Sequence, residues 1–335
     1  MTRRRFVQTS AAAPAILGAQ DKSGRKRPII GSGEHTYEVF HDWGELPAHI
    51  KYGNTHGACE DSQGHMYIHH TVHKTSQSGD AMVVFDEKGK FVRSWGAEYR
   101  DGAHGLHIRK EGSTEYLYLC DINRHIVVKT TLSGEVVLTL GYPEAAVPYQ
   151  AKIPYTPTNL AVAPDGDIYV GDGYGSSYII QYDSAGRYIR TFGGMGSEAG
   201  QLNQPHGIWM DTRGPEPVLT VADRRNYRIQ TFTLNGKHIG FAAGLRYPCH
   251  FHVHGQLMVV PELEARVSIL DAKNAIIAHF GQGPDNFREV RLLERSAFVP
   301  GQFVAPHGAC FDHAGNIFVV EWVEVGRVTK LRKIG

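Results

Sequence analysis

Six segments of this chain repeat one pattern, and four of them open with the dipeptide His-Gly. Each segment continues with an apolar strand, a Gly-centred turn, a second strand that ends near an acid, a third strand and a further turn. A unit of this kind cannot bury its apolar face alone, so its copies must pack against one another. The pattern therefore predicts a ring of similar units with imidazoles at equivalent places. In chain order, the equivalent position is occupied by His56, His104, Asn159, His206, His250 and His307.

The spacing and content of the units predict the four-stranded blades of a β-propeller, which recur about every 40–55 residues. The third unit shows the strands most clearly, at residues 160–162, 168–170, 178–182 and 188–192. No segment carries a convincing helical period. We therefore predict an all-β fold, a six-bladed β-propeller over residues 32–335. Its units start near Thr55, Ala103, Pro157, Pro205, Pro248 and Pro306.

The last unit stops after its third strand, at residues 327–332. An alternating stretch near the other end of the chain, residues 37–40, has the character of the missing strand. Pairing this N-terminal strand with the final blade would close the ring and remove open sheet edges. The sequence thus predicts a closing blade built from both ends of the chain.

Residues 1–20 have the features of an export signal. Three arginines, Arg3 to Arg5, stand before Phe6 and a weakly apolar stretch, which resembles a twin-arginine signal. The stretch is too short to span a bilayer. We predict a signal over residues 1–20, a polar linker over residues 21–31, and a periplasmic or secreted protein. A disordered basic tail is the alternative interpretation.

The composition limits the classes of partner. With 35 Lys and Arg against 34 Asp and Glu, the chain lacks the basic surface that nucleic-acid binding requires. No segment has the length and apolar character of a membrane span. We expect a monomer that takes a small-molecule or peptide-derived substrate. The spacing of the cysteines shows no disulfide framework, so they are expected to be small buried residues. They are Cys59, Cys120, Cys249 and Cys310.

The 19 histidines are the strongest anomaly in the composition. Antiparallel pairing returns the end of each second strand to the face where the first strand begins, so the repeated imidazoles and acids should meet at one end of the channel. Converging neutral imidazoles are good ligands for zinc, with iron or manganese as alternatives, and carboxylates can orient them. The alternative is that these histidines only cap strands in a water-filled channel. The predicted metal ligands are His56, His104, His206, His250 and His307.

Two stretches carry a resemblance to a known family. Residues 172–193 begin with Asp-Gly-Tyr and end with Phe-Gly, and residues 222–224 read Ala-Asp-Arg. Units of this kind resemble NHL repeats, and within that superfamily the chain resembles the peptidyl-α-hydroxyglycine α-amidating lyases. The match is good in blades two to four and six, and poor in blades one and five.

The resemblance implies a site. It implies a zinc ion held by three histidines, which match His104, His206 and His307 in this chain. It also implies a catalytic tyrosine, matching Tyr174, and an arginine, matching Arg224. Together with the metal, these groups would remove the hydroxyl proton of a carbinolamide and allow its C–N bond to break.

The chain also departs from the family. Gly308 stands where the family has an aspartate that binds a structural calcium, which puts calcium in doubt. His70 stands where the family has an arginine that holds the substrate. The family's disulfide cysteines fall on Gly175 and Thr231, so those bridges are absent. These departures predict a related scaffold with a changed substrate. Residues expected to contact the substrate are His70, Asn159, Glu262 and Trp322.

These observations favour an enzyme, namely an exported, metal-dependent lyase that cleaves a small hydroxylated, carbinolamide-like substrate in the channel. A metal-dependent hydrolase such as a lactonase is the second hypothesis, although lactonase propellers usually hold calcium through carboxylates and Asn. The third is a non-catalytic NHL propeller that binds protein or glycan, because fold does not fix function. A charged insertion over residues 281–301 is either a lid over the channel or a solvated loop.

Overall fold

The structure is a computed structural model that describes residues 27–335. The predicted export signal, residues 1–20, and residues 21–26 of the predicted linker lie outside this range. Within it, the fold is nearly all β, and six antiparallel sheets form the blades of a closed ring. The prediction of a six-bladed β-propeller is therefore confirmed. No helix in the described range is long and apolar enough to cross a membrane.

Five blades are each built from four consecutive strands. Blade one contains β3 (Thr55–Glu60), β4 (Met66–His70), β5 (Met82–Phe85) and β6 (Phe91–Trp95). Blade two contains β7 (Ala103–Glu111), β8 (Thr114–Asp121), β9 (Ile126–Thr131) and β10 (Val136–Leu140). Blade three contains β11 (Asn159–Val162), β12 (Ile168–Gly171), β13 (Tyr178–Tyr182) and β14 (Tyr188–Gly193). Blade four contains β15 (Pro205–Asp211), β16 (Val218–Asp223), β17 (Arg228–Phe232) and β18 (His238–Ala242). Blade five contains β19 (His252–His254), β20 (Leu257–Glu262), β21 (Arg266–Leu270) and β22 (Ile276–Phe280).

The sixth blade closes the ring with strands from both ends of the chain, as predicted. The N-terminal strand β2 pairs antiparallel with the C-terminal strand β25, with Val39 opposite Leu331. A further strand, β1, pairs with β2 on the outer edge, so this blade has five strands. Residues 29–31, assigned to the linker from sequence, therefore belong to the sheet, because their backbone groups pair with β2. The five strands are β1 (Ile29–Ser32), β2 (His35–Phe40), β23 (Pro306–Phe311), β24 (Ile317–Glu321) and β25 (Arg327–Lys333).

The core lies between the blades. One cluster, for example, joins Leu160, Val162 and Val170 of blade three to Tyr118 and Val127 of blade two. Alternate strand residues face the two neighbouring blades, so each apolar strand is buried on both sides. The four cysteines are buried and free, in agreement with the sequence-based expectation. The packing fixes the orientation of the innermost strands, and with it the channel.

Within residues 27–335, the short helical segments lie in the connections between strands. The insertion before blade six holds α1 (Phe287–Val290) and a 3₁₀ turn at Arg295–Ala297. Arg291, just after α1, donates to the carbonyl oxygen of Trp322 at 2.9 Å and to Oδ1 of Asn54 at 2.8 Å. Its guanidinium lies 3.4 Å from the centroid of the Trp322 ring. These contacts tie the insertion to the channel mouth. Other 3₁₀ turns lie at Ala97–Tyr99, Val147–Ala151 and Arg224–Asn226.

Candidate metal and catalytic site in the channel

The His-Gly dipeptide lies at a β-bulge in each of the four blades that contain it. The pairing of the first two strands shifts register there, and a bulge re-aims the side chain at its centre. The histidines consequently leave the alternation of the sheet and meet rings from other blades across the channel. The shifts lie between Thr55 and Gly57, Ala103 and Leu106, Pro205 and Ile208, and Pro306 and Gly308.

The glycine of the dipeptide allows the innermost strand of the next blade to approach closely. A Cβ atom at Gly207 would lie 2.7 Å from the carbonyl oxygen of Cys249, and one at Gly308 would lie 2.5 Å from that of His56. Gly105 faces the carbonyl oxygen of Thr158 in the same way, at 2.6 Å. Contacts this short exclude any side chain, so the glycine is required by the packing of neighbouring blades.

The same three carbonyl oxygens each accept a hydrogen bond from the Nδ1 atom of a channel histidine in the preceding blade. A carbonyl oxygen only accepts, so Nδ1 carries the proton and Nε2 keeps its lone pair. The sequence-based hypothesis that carboxylates orient these imidazoles is thus replaced by orientation through backbone carbonyls. The pairs are His104 with Thr158 at 2.7 Å, His206 with Cys249 at 2.8 Å, and His307 with His56 at 3.0 Å.

The acids that follow the second strands instead form contacts inside or beside their own blades. Asp121 accepts from Arg124 at 2.6 Å, and Asp223 accepts from Arg228 at 2.7 Å. Asp172 accepts from the Tyr149 hydroxyl at 2.6 Å. Because each carboxylate is already bonded near its own strand, these acids fix the loops at the channel face and leave the imidazoles free to converge.

Four imidazoles form one cluster in the channel. Ring centroids lie 4.8 Å apart for His104 and His206, 4.8 Å for His104 and His307, and 4.7 Å for His206 and His307. The fourth ring, His56, lies 4.4 Å from that of His307 and 4.9 Å from that of His104. One ligand nitrogen from each of His56, His104 and His307 lies within 4.8 Å of the others.

The fifth predicted ligand, His250, lies beside this cluster but outside it. Its ring makes none of the ring contacts that join the other four, although its charge would lower the pKa values of His104 and His307. Its side chain is buried, and its Nδ1 atom has no hydrogen-bond partner in the described structure. The structure therefore brings together the rings of four of the five predicted ligands, and the nitrogens of three of them, His56, His104 and His307, form the group within 4.8 Å of one another.

Burial keeps the clustered imidazoles neutral. It lowers the pKa of His104 to about 3 and holds the pKa values of His56, His206 and His307 well below the usual range. Positive charge on neighbouring groups acts in the same direction. Neutral imidazoles with inward lone pairs are the form that binds metal ions. The donor set thus fits zinc, iron or manganese, whereas calcium prefers oxygen ligands.

Tyr174 and Arg224 lie against this cluster, as the resemblance implies. The Tyr174 hydroxyl is 3.1 Å from Nε2 of His104 and 3.0 Å from Nε2 of His206. Arg224 donates to the same hydroxyl at 3.3 Å, and its side chain is only 4% exposed. Burial raises the pKa of Tyr174, and the Arg224 guanidinium opposes that rise.

Two residues that the sequence did not single out hold Arg224 in place. The side-chain oxygen of Gln204 accepts from Nε of Arg224 at 3.1 Å and from its terminal nitrogen at 2.9 Å. The Tyr247 hydroxyl donates to the same oxygen at 3.2 Å, and the Tyr247 ring lies 4.9 Å from the guanidinium. Both precede innermost strands near a proline, but that position alone gave no chemical signal. Only the fold shows their role.

The cluster opens into a cavity of about 400 Å³ at the channel mouth. Three arginines, Arg224, Arg225 and Arg288, lie in its wall with Asp101 as an opposing charge. A larger groove of about 1020 Å³ lies elsewhere and contains none of the clustered imidazoles. The wall of the smaller cavity consists of Asn54, His56, Thr71, Asp101, His104, Ile122, Tyr174, Gln204, Arg224, Arg225, Tyr247, Leu263, Arg288, His307 and Trp322.

Of the four predicted substrate contacts, the structure brings only Trp322 to this wall. Glu262 is fully buried, and its carboxylate accepts hydrogen bonds from Arg266 at 2.9 Å and from further donors. Its role is therefore structural. His70 is buried against the Tyr52 ring, with a centroid separation of 4.8 Å. The side-chain oxygen of Asn159 accepts from the neighbouring Leu160 amide at 2.8 Å. Local bonding and burial hold these three side chains away from the cavity.

No protein-family model matches the chain, but curated relatives do. The chain is 28% identical to peptidyl-α-hydroxyglycine α-amidating lyase 1 of Drosophila melanogaster, over 86% of this chain and 58% of the relative. It is 30% identical to lyase 2 of the same organism, over 45% of this chain and 36% of the relative. It is also 30% identical to the peptidyl-glycine α-amidating monooxygenase of Mus musculus, over 68% of this chain and 25% of that protein. The predicted resemblance is confirmed, and the chain spans less than two thirds of the length of each relative.

Solved structures share the fold at low sequence identity. A streptogramin B lyase superposes with a TM-score of 0.59 and 12% identity, covering 90% of this chain and 99% of the other. A gluconolactonase from Xanthomonas campestris superposes with a TM-score of 0.62 and 14% identity, covering 96% and 99%. At this level of identity the likeness establishes a common architecture and nothing about the reaction.

Proposed function

We propose that this protein is a metal-dependent lyase that cleaves a small carbinolamide-like substrate in the channel, releasing an amide and an aldehyde. The observation that carries the proposal is the placement of the Tyr174 hydroxyl between two channel imidazoles and a buried guanidinium. The sequence similarity to amidating lyases supports the same reaction class. A purely structural role for these histidines would not require a tyrosine and an unneutralised arginine beside them.

His104, His206 and His307 would hold the ion through their Nε2 atoms, since backbone carbonyls occupy their Nδ1 protons. A divalent ion bound there would act as a Lewis acid toward the hydroxyl and carbonyl oxygens of the substrate. Among the described residues the candidate metal group consists of imidazoles and contains no carboxylate, which disfavours the calcium chemistry of a lactonase.

The proton is moved by Tyr174. As a phenolate, which the charges of Arg224 and of a bound ion would favour against the effect of burial, it takes the proton from the carbinol hydroxyl. The C–O bond becomes a carbonyl, and the C–N electron pair passes to nitrogen. Tyr174 returns this proton to the nitrogen as the amide leaves, which restores the phenolate, so no net proton is consumed. Arg224 stabilises the phenolate, because its guanidinium is buried and contacts the hydroxyl oxygen at 3.3 Å.

Cellular location and assembly form part of the same proposal. The arginines that precede Phe6 support export by the twin-arginine route, which carries folded proteins and so allows metal loading before translocation. The protein would then act in the periplasm or outside the cell. The ring is closed within one chain by the pairing of β2 with β25, which supports a monomer.

The test combines elemental analysis with turnover. Protein purified without added metal should contain about one zinc, iron or manganese ion per chain, and should release glyoxylate from an N-acyl-α-hydroxyglycine. The substrate panel should include hydroxylated sugars and lactones. Metal-free protein without turnover on any carbinolamide would refute the proposal, and binding of a protein or glycan alone would favour a non-catalytic propeller.

The Tyr174→Phe variant tests the catalytic step. Removing the hydroxyl should lower kcat by about 10²- to 10⁴-fold, the usual contribution of a positioned acid–base group, with unchanged metal content. Tyr188→Phe is the matched control, since Tyr188 lies on the outer strand β14 of the same blade, away from the cavity. Equal activity of the two variants would remove Tyr174 from the mechanism.

A further inference from the structure

The other three clustered histidines direct Nε2 toward the centre of the cluster. His56 directs Nδ1 toward it instead. In His104, His206 and His307, Nδ1 bonds to a carbonyl of the next blade, which leaves Nε2 inward. By that rule the partner of His56 would be a carbonyl at the start of blade two. Instead, Nδ1 of His56 faces Nε2 of His307.

The packing beneath His56 explains this exception. A Cβ atom at Gly57 would meet the side chain of Leu106 at 2.5 Å, whereas the glycines of the other three dipeptides face a backbone carbonyl. The Leu106 side chain therefore fills the place where the accepting carbonyl would lie. With no carbonyl to hold it, the His56 ring can direct Nδ1 toward the centre of the cluster.

The separation of the two facing nitrogens indicates what they share. Nδ1 of His56 and Nε2 of His307 are 3.4 Å apart, at the long end of the distances at which one ring could donate a hydrogen bond to the other. Two nitrogen ligands of one tetrahedral zinc, each about 2.0–2.1 Å from the ion, lie about 3.3–3.4 Å apart. The observed spacing therefore also fits two lone pairs directed at one cation.

We infer that His56 is a fourth imidazole ligand of the channel metal and binds it through Nδ1. This inference rests on the proposed function only in requiring that the histidine cluster binds an ion. His250, at the equivalent place in blade five, stays outside because its ring does not reach the cluster. The site in this chain then differs from the three-histidine site that the resemblance implies.

A fourth imidazole changes what the ion can do. Four nitrogen ligands complete a tetrahedral zinc, as in structural sites, whereas catalytic zinc sites keep one position open. Substrate oxygen can therefore reach the ion only when it accepts a fifth ligand or when His56 moves aside. His56 lines the cavity together with His104 and His307, so it lies on the side of the cluster that the channel mouth reaches.

X-ray absorption of the zinc-loaded protein tests the ligand count. Outer-shell scattering should count about four imidazoles in the natural protein and three in His56→Ala. The affinity for zinc alone, measured by competition with a chelating dye, should fall at least tenfold in His56→Ala. His56→Asn, whose amide reaches the place of Nδ1, should recover part of that loss, and His56→Gln should not.

His107→Ala is the matched control. His107 belongs to the same channel but contacts Trp209, 5.3 Å away between centroids, and not the cluster. It should keep four imidazoles, and circular dichroism should show that all variants fold. Three imidazoles in the natural protein with unchanged affinity in His56→Ala would overturn the inference and leave the proposed function intact. Failure of the natural protein to bind zinc, iron or manganese would overturn both.

Discussion

At the level of single residues, Arg224 is a buried charge that the site keeps although it lowers the free energy of unfolding. Its guanidinium is 4% exposed, and among the described residues its partners are Gln204, Tyr174, Tyr247 and Cys249, none of them a carboxylate. A buried cation without an acid costs free energy of folding. The other two arginines that are buried in the described range each have a carboxylate, Arg266 that of Glu262 and Arg327 that of Glu321. The exception is the one beside the catalytic candidate Tyr174.

His41 provides a residue-scale prediction about pH. Its Nε2 atom accepts from the Gly301 amide at 2.9 Å, and its Nδ1 bonds to the Thr329 hydroxyl at 2.9 Å. Burial, and then the charge of Arg327, lowers the pKa of His41 from 6.5 to about 3. Between these two values the unfolded chain takes up a proton that the folded chain does not. Stability from this group is therefore complete above pH 6.5 and is lost as the pH falls toward 3.

Urea unfolding at pH 7.5 and pH 5.0 should show this loss. From pH 7.5 to pH 5.0, the free energy of unfolding should fall further in the natural protein than in His41→Gln. The difference should be about 1–2 kcal/mol, the contribution of one histidine whose pKa is lowered in the folded state. Other buried histidines contribute equally to both proteins, so the comparison isolates His41. The same loss in both proteins would show that His41 does not bind fewer protons in the folded state.

At the level of secondary-structure elements, the position of the channel imidazoles depends on the β-bulge at the His-Gly dipeptide. The glycine admits the next blade, and the carbonyl that approaches it fixes the preceding imidazole. Gly207→Ala should therefore affect both properties, since the new Cβ atom would meet the Cys249 carbonyl oxygen at 2.7 Å and Cα of His250 at 2.8 Å. We expect a loss of about 1–3 kcal/mol in stability, together with weaker metal binding through the displaced His206.

Gly240→Ala is the control for this element. Gly240 lies in β18 of the same blade, and a Cβ atom there would meet nothing within 4 Å. That variant should match the natural protein or exceed it slightly in chemical denaturation, because alanine restricts the unfolded chain. If the two variants had equal stability and equal zinc affinity, the close approach at Gly207 would not be a constraint.

At the scale of the whole molecule, the stability of the ring depends on its closing blade. Val39 on β2 is 2% exposed and pairs with Leu331 on the C-terminal strand. Val39→Asp would bury an unpaired carboxylate there and should cost about 3–5 kcal/mol. Because each blade packs on two neighbours, the loss should appear in one unfolding transition, measured by far-ultraviolet circular dichroism. Ser32→Asp, at an exposed site on β1, should have little effect.

Two separate transitions in Val39→Asp, with the first confined to the closing blade, would show that the other five blades are stable without closure. That result would contradict the expectation of a cooperative ring. It would also show that β1 and β2 can detach from the closing blade while the rest of the channel stays folded.

The repeated unit, the number of blades and the mixed origin of the last blade all follow from the amino-acid sequence. Strand periodicity, turn residues and spacing are local properties, so Thr55, Ala103, Pro205 and Pro306 were found as starts of innermost strands from the chain alone. The convergence of the histidines also followed, because antiparallel pairing returns equivalent residues to one face. The resemblance added Tyr174 and Arg224, which the structure places against the cluster.

The partner that holds each group in the site, by contrast, is visible only in the folded molecule. The carbonyls of Thr158 and Cys249 orient two imidazoles, and Gln204 holds Arg224, through contacts between residues 20 to 54 positions apart in sequence. Likewise, Glu262 was expected at the substrate but is bonded to Arg266, and His56 turns its Nδ1 inward because Leu106 occupies the alternative place. Residue type and sequence period do not specify these hydrogen-bond partners. The partners depend on the distance between neighbouring blades and on which donor lies nearest to each acceptor in the fold.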